Sequence, residues 1–254
     1  MAEVVDQGVP DSAPAVAAAT AAGADAVGGF SLDAVVLAGG RASRLGGRDK
    51  PLLERNGRSL LARTVDALRR AGAHRIVVVR SPVPGLGPDV VFARESPPFA
   101  GPAAGAAAGV DALAQPAAGA SHCFVVASDL PSVGLAVSTL LDAASTSTST
   151  STSEGADGWI AVDGSGHRQQ LLLLLRTDSL RRAIAANGGA AGLADQSMRR
   201  LLAGLDLVEV ALPDDAVSDI DTPEAALHFG YGDPVTPRGD PSESHPSRPD
   251  RSTS

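Results

Sequence analysis

Apolar positions fall in short blocks separated by polar and glycine-rich breaks. Asp33–Ala38 (DAVVLA) is a run with β-branched residues that ends in Gly39–Gly40, which reads as a strand buried on both faces. Residues 39–51 (GGRASRLGGRDKP) form a Gly- and Arg-rich loop. Ser59 then predicts a helix N-cap, because Leu60, Leu61, Thr64, Val65 and Leu68 follow at helical spacing up to Gly72. Arg75–Arg80 and Val90–Arg94 predict two further strands. Pro102 opens a small-residue helix to about Leu113, since proline is tolerated in a first turn. His122–Ala127 is another strand, ending at Ser128–Asp129–Leu130–Pro131 and followed by a helix to Ala144.

Beyond the Ser/Thr tract at 145–153 the pattern changes. Trp159–Asp163 and Gln169–Leu175 flank Gly164–Ser165–Gly166, as in a hairpin. Helical stretches follow near 179–186 and 195–203, then a strand at Leu205–Leu212. Thr222 caps a last helix, Pro223–Phe229. Strands alternating with helices predict an α/β domain, a mostly parallel sheet with a small inserted antiparallel hairpin.

Composition sets the limits of that domain. Residues 1–30 are largely Ala, Gly and Val, with four acids and no base, and residues 233–254 are Pro, Ser and charge. Both read as disordered tails, and 145–153 as a disordered loop, because they offer no apolar face to bury. The remaining domain, 31–232, is large enough for a core without staples. Its single cysteine, Cys123, excludes an intramolecular disulfide framework and a cysteine-rich zinc module. His74, His122, His167, His228 and His245 show no ligand spacing. The formal net charge of −8 and the absence of a basic stripe argue against nucleic acid. The longest apolar run, Leu171–Leu175, is too short to span a bilayer, and the N-terminus lacks a basic signal region. A cytoplasmic protein is expected.

The candidate chemistry begins in the glycine loop. Two glycines delivered by a strand let backbone N–H groups approach a ligand closely. Arg41, Arg44, Arg48 and Lys50 add four cations within ten residues, which suits a triphosphate. Lys50 is the chain's sole lysine among 21 basic residues. The loop is neither a P-loop nor a dinucleotide fingerprint. Asp129 stands just past a buried strand, where ligands of α/β sheets collect. A carboxylate there suits Mg²⁺, though capping of the next helix is the plainer role.

The string LAGG-RASRLGGRDK resembles the signature loop of nucleotidyltransferases with a Rossmann-like fold. Its Gly46–Gly47–Arg48–Asp49–Lys50 is most similar to molybdenum cofactor guanylyltransferases, of the MobA-like NTP transferase family, over about residues 32–230. The resemblance implies that Leu37, Ala38, Gly39 and Gly40 touch the nucleotide and that Lys50 contacts its phosphates. It places Arg44 at an arginine of the same loop, and makes Asp129 the Mg²⁺ ligand. Pro97–Gly105 resembles a loop beside the base, with Ala103 in place of leucine. Glu95 precedes it, either as acceptor for the guanine edge or as an exposed loop acid. Arg80 ends the second strand where relatives carry asparagine, and no role is transferred to it. Asp163–His167 resembles a hairpin near an acceptor pocket, here followed by Gln169–Gln170 without proline. Asp219–Ile220–Asp221–Thr222–Pro223–Glu224 resembles the family's ending; alternate residues of an extended segment share a face. Asp221 is read as a cap, with Asp219 left open. The implied activity is Mg²⁺-dependent transfer of GMP from GTP to the terminal phosphate of molybdopterin. The alternatives are a cytidylyltransferase on the same fold and a degenerate, non-catalytic nucleotide-binding protein.

Overall fold

The computed structural model describes residues 30–39, 49–114, 119–149 and 155–233. A seven-stranded sheet forms its centre. The strands are β1 (Leu32–Leu37), β4 (Ala73–Val79), β5 (Val90–Ala93), β6 (His122–Ala127), β7 (Gly158–Val162), β8 (Arg168–Arg176) and β9 (Leu207–Ala211), in the order β5-β4-β1-β6-β8-β7-β9. β1 pairs in parallel with β4 and β6, and β8 runs antiparallel to both β6 and β7. The expected parallel sheet with an inserted hairpin is therefore present. Because β1, β4 and β6 are parallel, Gly39, Arg80 and Asp129 all emerge at one sheet edge. Antiparallel β8 starts at that same edge, bringing Gln169–Leu171 to it.

Alternation along β1 divides the core. Ala34 and Val36 face one layer, with Leu61, Val65 and Leu68 of α1 (Leu60–Arg70) and Val137 and Leu140 of α3 (Val133–Ser149). Val35 faces the other, with α2 (Pro102–Leu113), α4 (Thr177–Ala186) and α5 (Met198–Leu202). Helix α2 reaches β1 unusually closely because its inner face is small. A Cβ on Gly109 would stand 2.4 Å from Val35 Cγ1, and one on Gly105 3.2 Å from Leu37 Cδ2. Ala103 is fully buried in this close contact, so the smaller side chain there belongs to the tight packing. One ion pair crosses the buried end of β1: Arg75 donates to both Asp33 oxygens, at 2.6 and 3.2 Å, and Asp33 is 2% exposed.

Two boundaries and one hairpin stand out against the sequence expectation. Phe30, assigned to the N-terminal tail, is buried and packs edge-on to His122 and Trp159. Residues 1–29 and 234–254 lie outside the described residues. Helix α3 continues to Ser149, five residues into the tract read as a loop. There the Ser145 and Thr146 hydroxyls donate to the carbonyls four residues back, at 2.9 Å each, so these side chains satisfy themselves on the helix. Finally, Asn56–Gly57, both with positive φ, turn a hairpin between β2 (Glu54–Arg55) and β3 (Arg58–Ser59). Glu54 of that hairpin bridges Gly232, tying the end of the domain back to the segment after Lys50.

Candidate active site

Lys50 opens a short 3-10 turn, Lys50–Leu52, in which Leu52 N–H donates to the Asp49 carbonyl at 2.8 Å. From there its ammonium donates to Asp129 Oδ2 at 2.9 Å and to Asp221 Oδ1 at 2.7 Å. The Lys50 side chain is 16% exposed. Burial alone disfavours the ammonium, but the two carboxylates outweigh it and hold the Lys50 pKa above its ordinary value. Residues Gly40 and Arg44, together with the rest of 40–48, lie outside the described residues.

The third acid arrives through the strand-like segment before the last helix. Ile220 is fully buried among Leu53, Leu60, Ala226 and Tyr231, and its N–H donates to the Asp129 carbonyl at 3.2 Å. With Ile220 turned inward, Asp219 and Asp221 face the other way, beside Asp129. Carboxylate oxygens of Asp129, Asp219 and Asp221 lie within 4.8 Å of one another. Burial first, then the Asp221 charge, raises the Asp219 pKa against the opposing pull of Lys50. The capping role read for Asp221 is not what the structure shows. Thr222 Oγ1 caps the helix Pro223–His228, accepting from Ala225 N–H at 3.1 Å, while Asp221 Oδ1 accepts from Lys50 Nζ.

On the α2 side of Asp129 a cavity of about 340 Å³ opens, lined by Leu37, Gly39, Glu95, Phe99, Gly101 and Asp129 among others. Glu95 Oε1 accepts from Phe99 N–H at 2.9 Å, so the carboxylate organises its own loop while facing the cavity. The Ala38 N–H expected to meet phosphate donates to the Val79 carbonyl at 3.4 Å, which leaves Gly39 as the described amide of the glycine pair facing the cavity. On the other side of Asp129, Gln169, Gln170 and Asp219 line a second cavity of about 290 Å³. Asp163 binds its own turn, accepting from Ser165 and His167 N–H and from Gln169 Nε2, which aligns the hairpin.

Two residues to which the sequence assigned no role also meet here. Arg80 forks onto Asp49, with Nη2 to Oδ2 at 2.7 Å and Nη1 to Oδ1 at 3.3 Å. The usable signal was an arginine at the end of a strand beside an acid adjoining the lysine.

Residues 34–210 match the MobA-like NTP transferase domain. The chain belongs to that family. Among MobA-like relatives, a molybdenum cofactor guanylyltransferase of Rhodopseudomonas palustris (strain BisB5) is 41% identical over 96 residues, 32% of this chain and 40% of that protein. One of Shewanella putrefaciens is 33% identical over 159 residues, 61% of this chain and 74% of its own. Solved structures share the fold. A molybdopterin-guanine dinucleotide biosynthesis protein A from Archaeoglobus fulgidus aligns with TM-score 0.53 at 17% identity, over 78% of this chain and 96% of that one. A 2-C-methyl-D-erythritol 4-phosphate cytidylyltransferase from Francisella tularensis aligns with TM-score 0.57 at 13% identity, over 78% and 97%. Among the described residues no helix is long and apolar enough to cross a membrane.

Proposed function

We propose that this MobA-like chain transfers GMP from GTP to the terminal phosphate of molybdopterin. A phosphate oxygen of the acceptor attacks the α-phosphorus in line, the bond to the β-phosphate oxygen breaks, and pyrophosphate leaves. The observation that carries the reading is the meeting of Lys50, Asp129 and the Asp219/Asp221 pair between two cavities at the carboxyl edge of the parallel strands. Relatives named for that activity support it.

The residues have distinct tasks. Gly39 lets the chain approach the phosphates, and Lys50, with Arg44 of the loop, balances charge growing on them. Glu95 faces the base side and can accept from the guanine N1–H and exocyclic amine. Gln169 and Gln170 present amides on the acceptor side. The cluster fits a hard divalent cation: its donors are carboxylate oxygens, close together and partly open, and Mg²⁺ uses only one or two of them. Asp129 and Asp219 would hold it while Asp221 stays on Lys50, and Mg²⁺ there supplies charge neutralisation on the phosphate oxygens. A cytoplasmic setting, without nucleic acid or membrane as partner, is part of the same proposal.

Pyrophosphate release with each of the four NTPs, with and without molybdopterin and Mg²⁺, tests this. Release with GTP that requires the acceptor supports it. CTP preference favours the cytidylyltransferase reading, which the shared fold with cytidylyltransferases keeps in view. Binding without turnover on any acceptor indicates a non-catalytic nucleotide-binding protein.

A further inference from the structure

The last residue of β4 and its successor fasten both ends of the phosphate loop. At the entry, Ala38 N–H donates to the Val79 carbonyl at 3.4 Å. At the exit, Arg80 grips Asp49 with two N–H···O bonds, at 2.7 and 3.3 Å. Arg80 is itself held from several sides. Its N–H donates to the Ala93 carbonyl at 2.9 Å, and Nε donates to the Ser81 carbonyl at 3.2 Å. The Arg80 side chain is 11% exposed and that of Asp49 47%, so the guanidinium is enclosed while the carboxylate it grips is half open. Parallel N–H groups of a guanidinium match both oxygens of a carboxylate, fixing direction as well as distance.

One peptide bond separates Asp49 from Lys50. The Asp49 carbonyl also accepts the Leu52 N–H that closes the turn carrying Lys50. The geometry points to Arg80 as a positioning residue: its fork on Asp49 sets the origin of Lys50 and thereby keeps the ammonium on Asp129 and Asp221. Arg80 acts through Asp49 and does not itself contact the phosphates. Displacements of about 1 Å at reacting groups cost up to ~10²-fold in rate, so such a brace has a measurable effect. Only the kinetic part of the test rests on the proposed function.

Because Lys50 is the only lysine, ¹⁵N-lysine labelling of the full chain gives a single side-chain ammonium signal. Two carboxylate bonds slow its exchange with water and keep it visible. The expected result is a signal in the parent and in the surface control Arg182→Ala, lost or severely broadened in both Arg80→Ala and Asp49→Ala. Arg80→Lys restores it only in part, because a compact ammonium does not span both oxygens. If Arg80→Ala fails to fold, Arg80→Gln carries the same expectation. An unchanged signal in a folded Arg80 variant, or no signal in the parent, overturns the proposal. With GTP, Arg80→Ala and Asp49→Ala should both lower kcat about tenfold, a part of what losing the Lys50 charge itself costs. Tighter nucleotide binding in Asp49→Ala would mean that freed Arg80 grips phosphate directly, and also overturns it. Absence of GTP turnover in the parent refutes the proposed function while the ammonium signal still decides the role of Arg80.

Discussion

Arg75→Met should destabilise this protein far more than loss of an exposed arginine. Asp33 is the charged residue of β1 and stands opposite Arg75 in the parallel register. Arg75 gives it two bonds, and a third comes from Ala120 N–H at 3.3 Å. Arg75 also donates to the Leu113 carbonyl at the end of α2, at 2.6 Å. Methionine fills the aliphatic volume but leaves a carboxylate that is 2% exposed with one amide partner. Breaking one side of a buried pair costs about 3–5 kcal/mol. The Arg75 side chain is 30% exposed, so water relieves part of that, and about 3 kcal/mol is the expected loss. For comparison, Arg168→Met removes a pair whose members are 52% and 48% exposed, and should cost below ~1 kcal/mol. Adding Asp33→Asn to Arg75→Met removes the stranded charge yet keeps an acceptor for Ala120, so the double variant should recover at least half the loss. Urea unfolding followed by far-UV circular dichroism reads this as a midpoint shift of roughly 1–2 M for Arg75→Met, from the usual slope for a domain of this size. A loss under ~1 kcal/mol, or a double variant no more stable than Arg75→Met, would refute the buried-pair reasoning.

Lys50→Ala and Asp129→Ala should each lower kcat by about 10²–10³ with folding intact, since each removes a preorganised charge; near-parent turnover in either folded variant rules the role out. His122 is held near 4 by burial, with Arg176 adding to the effect, so the unfolded chain binds the extra proton between pH 4 and 6.5. Stability from this group is therefore complete above about pH 6.5 and is lost as pH falls toward 4, by up to ~3 kcal/mol. His122→Leu should flatten that part of a urea-midpoint-versus-pH profile, and an unaltered slope contradicts the assignment. Gly109→Ala should cost about 1–3 kcal/mol through collision with Val35, read as a lower thermal midpoint; parent-like melting would show that α2 can back away from β1. Removing residues 1–29 should leave the melting midpoint close to the parent's, whereas extending the cut through Phe30 should lower it, because that ring lies against His122 and Trp159; equal midpoints for the two truncations would show that Phe30 contributes nothing.

Local pattern determined much of the architecture. β1, β6 and α2 begin and end within a residue or so of where their apolar runs and Pro102 place them, because a strand buried on both faces reads as one near-continuous apolar run and a proline fixes the first turn of the helix. Ser59 and Thr222 cap their helices as their types require. Lys50 and Asp129 were legible because glycine-rich turns and strand-end acids carry a local signature. Other features depended on partners distant in sequence. Phe30 sits in a run of alanine and glycine, and only the His122–Trp159 surface gives it a place in the core. Asp221 looks like a cap until Ile220 is buried against Leu53 and Leu60, which turns both flanking acids toward Asp129 and puts Asp221 on a lysine 171 positions away. Arg80 and Asp49 are two unremarkable charges in the chain, 31 positions apart. Parallel pairing of β1 with β4 brings the end of one strand beside the loop leaving the other, and the fork between them exists only once that sheet has formed.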